Sequence, residues 1–160
     1  MHYANPMIRG EDPRVLILGT FPSALSREKR EYYANPRNRF WRIIFNVFGV
    51  PFDIPDYETK KRVLTDNHIA LWDTVTCCET DGSLDSEIKN PVYNTGIPGF
   101  VRENGIKALL FNGGNAFTFY KRGNGMPENF RVLPSSSPAN ARMRFEEKLE
   151  AWSAALRTYL

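Results

Sequence analysis

The sequence predicts an α/β fold, a three-layer α/β/α arrangement around a central, mostly parallel four-stranded sheet. Three observations predict it. Four apolar runs of strand length, opening at Val15, His68, Ile106 and Phe130, are separated by segments of helical periodicity. The first, Val15 to Leu18, is apolar without alternation, as in a strand covered on both faces. Three of the runs end in Gly- or Pro-rich turns, GTFPS, FNGGN and LPSSSP. A parallel sheet gathers such turns at its carboxyl edge, where open α/β sheets bind ligands. At 160 residues the chain reads as a single domain, residues 1–160, long enough for a substantial core.

Met1 to Pro13 reads as a lead punctuated by Pro6, Gly10 and Pro13. Its YANP (Tyr3 to Pro6) recurs at Tyr33 to Pro36, too short a match to be a repeat. Gly19 closes the first strand, and Pro22 stops the ladder from continuing. Asn38 to Phe48 reads as a helix, because Phe40, Trp41, Ile44, Phe45 and Phe48 recur at helical spacing before Gly49-Val50-Pro51 ends it. These aromatics are core residues, and only Tyr32 to Asn38 are left to face a ligand. Tyr57 to Asn67 is a second, more polar helix leading into a strand over His68 to Val75. Thr76 to Asn94 shows no period and reads as a long loop, in which pattern alone assigns no role to Asp81, Ser83 or Asp85. Pro98 to Asn104 is a short helix, Ile106 to Phe111 a third strand, and Asn115 to Arg122 another helix. Phe130 to Leu133 is a fourth strand, broken by Pro134. A closing helix runs from Ala141 to about Tyr159, with Phe145, Leu149, Trp152 and Leu156 on one face.

Composition excludes several function classes. No apolar run reaches membrane length and the N-terminus lacks an apolar signal core, so the expectation is an intracellular, cytoplasmic protein. The two cysteines, Cys77 and Cys78, are adjacent, which disfavours a disulfide and cannot supply an iron–sulfur cluster. His2 and His68 show no ligand spacing, so neither a metal nor another cofactor is expected. The net charge is only +3, yet Arg27 to Arg42 carries six basic residues against two acidic, and Ile43 to Phe100 four against nine. Arg131, Arg142 and Arg144 add a second basic segment without an acid. Charge blocks are usually solvated faces. Here both basic segments coincide with the two unusual motifs, which favours a polyanion-facing surface.

The cluster Tyr32, Tyr33, Asn35, Pro36, Arg37, Asn38, Arg39 is not required by core packing. Adjacent tyrosines cannot both face one core from a helix, and aromatics, amides and arginines are the groups that stack on bases, read their edges and grip phosphates. GTFPS lacks the spacing of a dinucleotide fingerprint, and FNGGN, without the Lys-Ser/Thr of a P-loop, reads as a tight turn. LPSSSPAN has two readings that the residues alone leave open. Its hydroxyls and N–H groups, with Arg142 behind, suit a phosphate; equally, a serine or Asn140 could simply cap a helix.

GTFPS followed by YYANPRNRFW resembles the uracil-DNA glycosylase superfamily, and most closely its hypoxanthine-DNA (deoxyinosine) glycosylase branch, related to the mismatch-specific uracil and thymine glycosylases. LPSSSPAN is similar to that branch's second motif and LWD…GSLDS to its middle segment, so the likeness spans Val15 to about Arg142. The resemblance implies a monofunctional glycosylase of base excision repair, a monomer acting on double-stranded DNA that contains a deaminated base. It implies Asn38 as the catalytic residue and Tyr33 as the aromatic stacked on the extruded base. Gly19, Thr20, Phe21, Pro22 and Ser23 would line the base site. Arg37, Arg39, Pro134, Ser135, Ser136, Ser137, Pro138, Asn140 and Arg142 would contact DNA, the Pro134 to Asn140 loop pressing into the minor groove. Two departures weaken uracil chemistry. Phe21 stands where relatives place a water-positioning Asn or Asp, and Leu133 where others place a His or Asn that donates to uracil. Alternatives are a uracil or mismatch-specific glycosylase, or a nucleic-acid-binding module without turnover. A nucleotide enzyme on the same sheet is disfavoured by the missing phosphate fingerprints.

Overall fold

Val15–Gly19 (β2) is apolar on both faces and lies at the centre of the protein, as the computed structural model, which describes residues 1–160, shows. It pairs in parallel with Ile69–Asp73 (β3) on one side and Ala108–Asn112 (β6) on the other, and β6 pairs in parallel with Phe130–Leu133 (β7). The sheet is therefore four-stranded and wholly parallel, in the order β3-β2-β6-β7. The period-two alternation of strands sorts its side chains into two cores. Val15, Ile17, Ile69, Leu71 and Leu110 face Phe40–Val47 (α2), Tyr57–Asp66 (α3) and Phe145–Tyr159 (α6). Leu16, Leu18, Ala70, Leu109 and Phe111 face Ile97–Asn104 (α4) and Gly114–Asn124 (α5). The three layers are those the sequence predicts.

Four expectations are corrected, and one short helix is added. Thr76 to Asn94 is not an unstructured loop: Val75–Glu79 (β4) and Lys89–Tyr93 (β5) pair antiparallel around a 3-10 turn at Asp85–Glu87. The N-terminal lead supplies the third strand of that small sheet, His2–Tyr3 (β1), paired with Cys77 and Cys78 of β4. Its register is interrupted by irregularities, which erase the alternation that would have revealed it. A short helix, Ala24–Lys29 (α1), follows Pro22, capped by the Ser23 hydroxyl accepting from Ser26 N–H. The closing helix begins at Phe145 rather than Ala141, because Ser137 and Asn140 hydrogen-bond within the preceding loop, and Glu146 and Glu147 occupy its first turn. The second helix likewise starts at Phe40, with Arg39 at its N-cap position, rather than at Asn38.

The order of strands creates the site. From β2 the chain moves first to β3 on one side and later to β6 on the other. The crevice at the carboxyl ends of these strands is a topological switch point. Register places Gly19 opposite Asp73, and Asn112 opposite Leu133, along one edge.

Candidate active site

A cleft of about 630 Å³ opens at this edge. Its walls bring together Gly19 to Ser23, Tyr33, Asn38 and the loop from Ser135 to Asn140. Sequence-distant motifs thus converge because they follow neighbouring strand ends. A second cleft of about 720 Å³ adjoins it and shares Tyr33, Asn38, Ser137, Pro138 and Asn140. That flank is basic: Lys29, Arg37, Arg39, Arg42, Lys60 and Lys148 line it, with Glu31 the one acid. Lys148 is only 3% exposed, and burial followed by the Arg39 charge pushes its pKa down. Arg142 is exposed and lines neither cleft.

Tyr32 and Tyr33 part company as their adjacency requires. Tyr32 enters the core, its hydroxyl donating to Asn5 O at 3.2 Å and its carbonyl accepting from Trp41 Nε1 at 2.7 Å. Tyr33 has a left-handed backbone (φ 53°), which turns its ring into the cleft. The ring stacks on Phe40 at 4.3 Å between centroids, and Phe40 is braced edge-on by Trp41 and Trp152. An aromatic wall backed on one face in this way is a rigid platform for a planar ligand.

Asn38 sits where the two clefts meet. Its Oδ1 accepts from Phe40 N–H at 2.9 Å, so the side chain caps the helix start from two residues away. Its Nδ2 has no hydrogen-bond acceptor within the protein, which leaves a donor for the cleft.

The serine loop is held by a clamp the sequence did not reveal. Asn112 Oδ1 accepts from Ser136 N–H, and Asn112 Nδ2 donates to Ser136 Oγ, both at 2.9 Å. Arg39 N–H donates to Ser136 O at 3.0 Å, and Trp152 Nε1 to Pro134 O at 3.0 Å. Ser136 is fully buried, so the DNA contact expected of it is corrected: its polar groups are engaged in fixing the loop. Ser135 and Ser137 Oγ accept from N–H groups two residues on, which keeps their O–H protons free to donate. Neither a serine nor Asn140 caps α6, so the capping alternative is corrected too. FNGGN is more than a turn: Gly113 (φ 95°) brings the chain so close to the loop that a Cβ there would lie 3.0 Å from Ser135 Cβ.

Sequence reasoning missed two carboxylates. Asp73 closes β3 and is buried in the cleft floor, its carbonyl held by Asn94 Nδ2 at 2.9 Å. Its Oδ2 has no hydrogen-bond partner, nor has the buried Tyr33 hydroxyl. A Cβ on Gly19 would lie 2.7 Å from Tyr33 Oη and 2.8 Å from Asp73 Oδ1, so both groups border the space that only glycine leaves open. Burial, reinforced by the Asp85 charge, pushes the Asp73 pKa up to about 8. Burial also raises Tyr33, with Asp73 adding to it; Asn112 nearby pulls the other way but does not reach hydrogen-bonding geometry. Asp85, carried in by the 3-10 turn, is raised by burial against the opposing pull of Thr20 and Asn115. Both carboxylates lie in the LWD…GSLDS segment that carries part of the resemblance, Asp73 as a polar end to an apolar strand, but pattern assigned neither of them a role.

Phe21, half-buried, packs against Val75, Cys78 and Phe119, and Leu133 belongs to the core with Trp152. Both positions are apolar in structure as in sequence. Cys77 and Cys78 are free, and no group of three or more His, Cys, Asp or Glu side chains is placed to hold a metal ion. No helix is long and apolar enough to cross a membrane.

The family model for the uracil DNA glycosylase superfamily matches residues 7–157. A hypoxanthine DNA glycosylase of Methanosarcina acetivorans is 36% identical over 95% of this chain and 96% of its own length. The protein of the same name from Methanosarcina barkeri is 30% identical over 95% and 96%. The solution NMR structure of a candidate uracil DNA glycosylase from Methanosarcina acetivorans superposes with a TM-score of 0.80 at 34% identity, covering 98% of this chain and 97% of that one. With its parallel sheet, its cleft at the switch point and these likenesses together, the chain belongs to the uracil DNA glycosylase superfamily, hydrolases that cleave N-glycosyl bonds in DNA.

Proposed function

We propose that this glycosylase releases hypoxanthine, in preference to uracil, from double-stranded DNA. It acts as a monomer, without metal or other cofactor, on a nucleotide flipped into the cleft. The observation that carries the site assignment is Asn38, whose Nδ2 has no partner within the protein and which lines the cleft beside the Tyr33 platform. The names of the two Methanosarcina relatives support the base. So do Phe21 and Leu133, which leave no polar side chain at two positions that uracil-specific chemistry uses. Lysine is absent from the cleft lining, which leaves no amine to form a Schiff base with the sugar and fits hydrolysis without strand cleavage.

In this reading the basic flank holds phosphates of the lesion strand, with Arg37 and Arg39 exposed along it. Flipping costs a few kcal/mol, least for a mispaired base. Tyr33 then stacks on the base, and Asn38 Nδ2 donates to it as the glycosidic bond stretches. Asn38 is a poor base, so its contribution is orientation and stabilisation of charge rather than proton abstraction.

Substitution separates this role from capping. Asn38→Asp and Asn38→Ser keep an acceptor for the Phe40 N–H and lose the Nδ2 donor. Both are expected to fold with little change in melting temperature and to lose on the order of 10²-fold or more in single-turnover hypoxanthine release. Rates near wild type in those folded variants would refute the assignment. Absence of any release by the wild-type protein would support the non-catalytic alternative.

A further inference from the structure

We propose that Asp73 is a second catalytic residue, whose carboxyl group delivers a proton to N7 of the departing purine. The proposal rests on the hypoxanthine reading and deepens it. Its geometric basis is the pair of orphaned groups on the floor of the cleft. A buried polar atom without a partner is costly, by roughly 1–3 kcal/mol, and its usual explanation is a ligand or water that completes it. Asp73 Oδ2 is such an atom, buried, at the end of a central strand, with its backbone fixed by Asn94. Its carboxyl and the Tyr33 hydroxyl both border the space over Gly19, within the walls where the base is held.

The protonation state agrees with the geometry. The titratable group whose charge bears on Asp73 is Asp85, from the 3-10 turn, while Tyr32, Tyr33 and Tyr57, packed around it, are neutral phenols whose own pKa values the Asp73 charge would raise. Neither a lysine nor an arginine lines the cleft. Burial first, and Asp85 second, hold the proton on up to about pH 8. A carboxylic acid kept neutral by its surroundings is a donor at physiological pH.

The step balances. The C1′–N9 bond breaks with its electron pair passing to the purine, and the Asp73 proton moves to N7, so the base leaves neutral. Water adds its oxygen to C1′ and releases a proton, and proton uptake restores Asp73. A pyrimidine has no N7, so a donor aimed at that atom favours purines. That gives a site with the apolar Phe21 in its cleft and the apolar Leu133 behind it a positive reason to favour hypoxanthine.

The test measures single-turnover release from duplexes carrying one deoxyinosine, or its 7-deaza analogue, from about pH 6 to pH 9. Wild-type activity on deoxyinosine is expected to fall up to tenfold per unit above about pH 8. Asp73→Asn is expected to lose on the order of 10²-fold at pH 7 and to lose that limb. The ring's own N1–H ionises in wild type and variant alike, so the part of the limb that disappears is the part that belongs to Asp73. The 7-deaza analogue should be released by the wild type at least about 10²-fold more slowly than deoxyinosine. An Asp73→Asn rate within threefold of wild type, an alkaline limb unchanged in that variant, or release of the 7-deaza analogue within tenfold of deoxyinosine would overturn the proposal. The 7-deaza arm uses wild-type protein, so a poorly folding variant does not decide the outcome. Hypoxanthine release with those refuting results leaves the proposed function standing; no release from either duplex removes both.

Discussion

Replacing Asp73 with asparagine removes a titratable proton while nearly preserving the shape of the side chain, so its effect on stability is predictable from burial alone. Folding carries the carboxyl from an ordinary pKa of 3.8 to about 8. Between those values the folded state keeps a proton that the unfolded chain has released, so stability falls as pH rises through this window. The contribution is fully present below about pH 4 and fully lost above about pH 8. Each pKa unit is worth about 1.4 kcal/mol, so the four-unit interval has an upper value on the order of 5 kcal/mol. Relaxation and water entry reduce it, and a change of about 2–4 kcal/mol is the practical expectation. Urea unfolding of wild type and Asp73→Asn at several pH values measures it directly. The two proteins should be close in stability near pH 4, and the variant should be the more stable by several kcal/mol near pH 8. Parallel stability curves across this range would refute the idea that Asp73 is buried as a neutral acid. A variant both more stable and less active is the usual sign of a site whose chemistry requires a strained environment.

Gly19→Ala places a methyl group within 2.8 Å of both Tyr33 Oη and Asp73 Oδ1, and neither group can yield easily, since Phe40 backs one and the other is buried. It should cost about 1–3 kcal/mol of stability and most hypoxanthine release, read by thermal melting and single-turnover assay. The double substitution Arg37→Ala with Arg39→Ala, on the basic flank, should flatten the salt dependence of DNA binding by about two units of log–log slope, since each phosphate contact contributes about one. An unaltered slope would return both arginines to a merely solvated face.

The fold was legible because β2, β3 and β6 are apolar with little interruption and segments of helical period lie between them. The second sheet was not, because its strands are short, irregularly registered and partly supplied by residues at the very N-terminus. In the site, the motif from Tyr32 to Asn38 was legible as surplus to packing. The separation of Tyr32 into the core from Tyr33 in the cleft follows from their adjacency, but which one goes where depends on a left-handed backbone that sequence does not announce. Asp73, Asp85 and Asn112 were illegible for one shared reason. Each is a single polar residue whose significance comes from neighbours distant in sequence: Gly19 for Asp73, Thr20 for Asp85 and Ser136 for Asn112.

The two clefts also divide the electrostatic labour. A phosphate backbone requires cations, whereas a carboxyl that must hold its proton at neutral pH requires their absence, since a nearby cation lowers a carboxyl pKa by favouring the ionised form. The cations line only the flank, and the acids Asp73 and Asp85 line only the cleft beside it. Tyr33 and Asn38 are uncharged and line both. Moving a cation across that boundary, as an arginine at Asn38 would, should therefore ionise Asp73 even if DNA binding improved. Tight binding and rapid release of a purine are on this account opposed demands, met on the two sides of a boundary lined by the uncharged Tyr33 and Asn38.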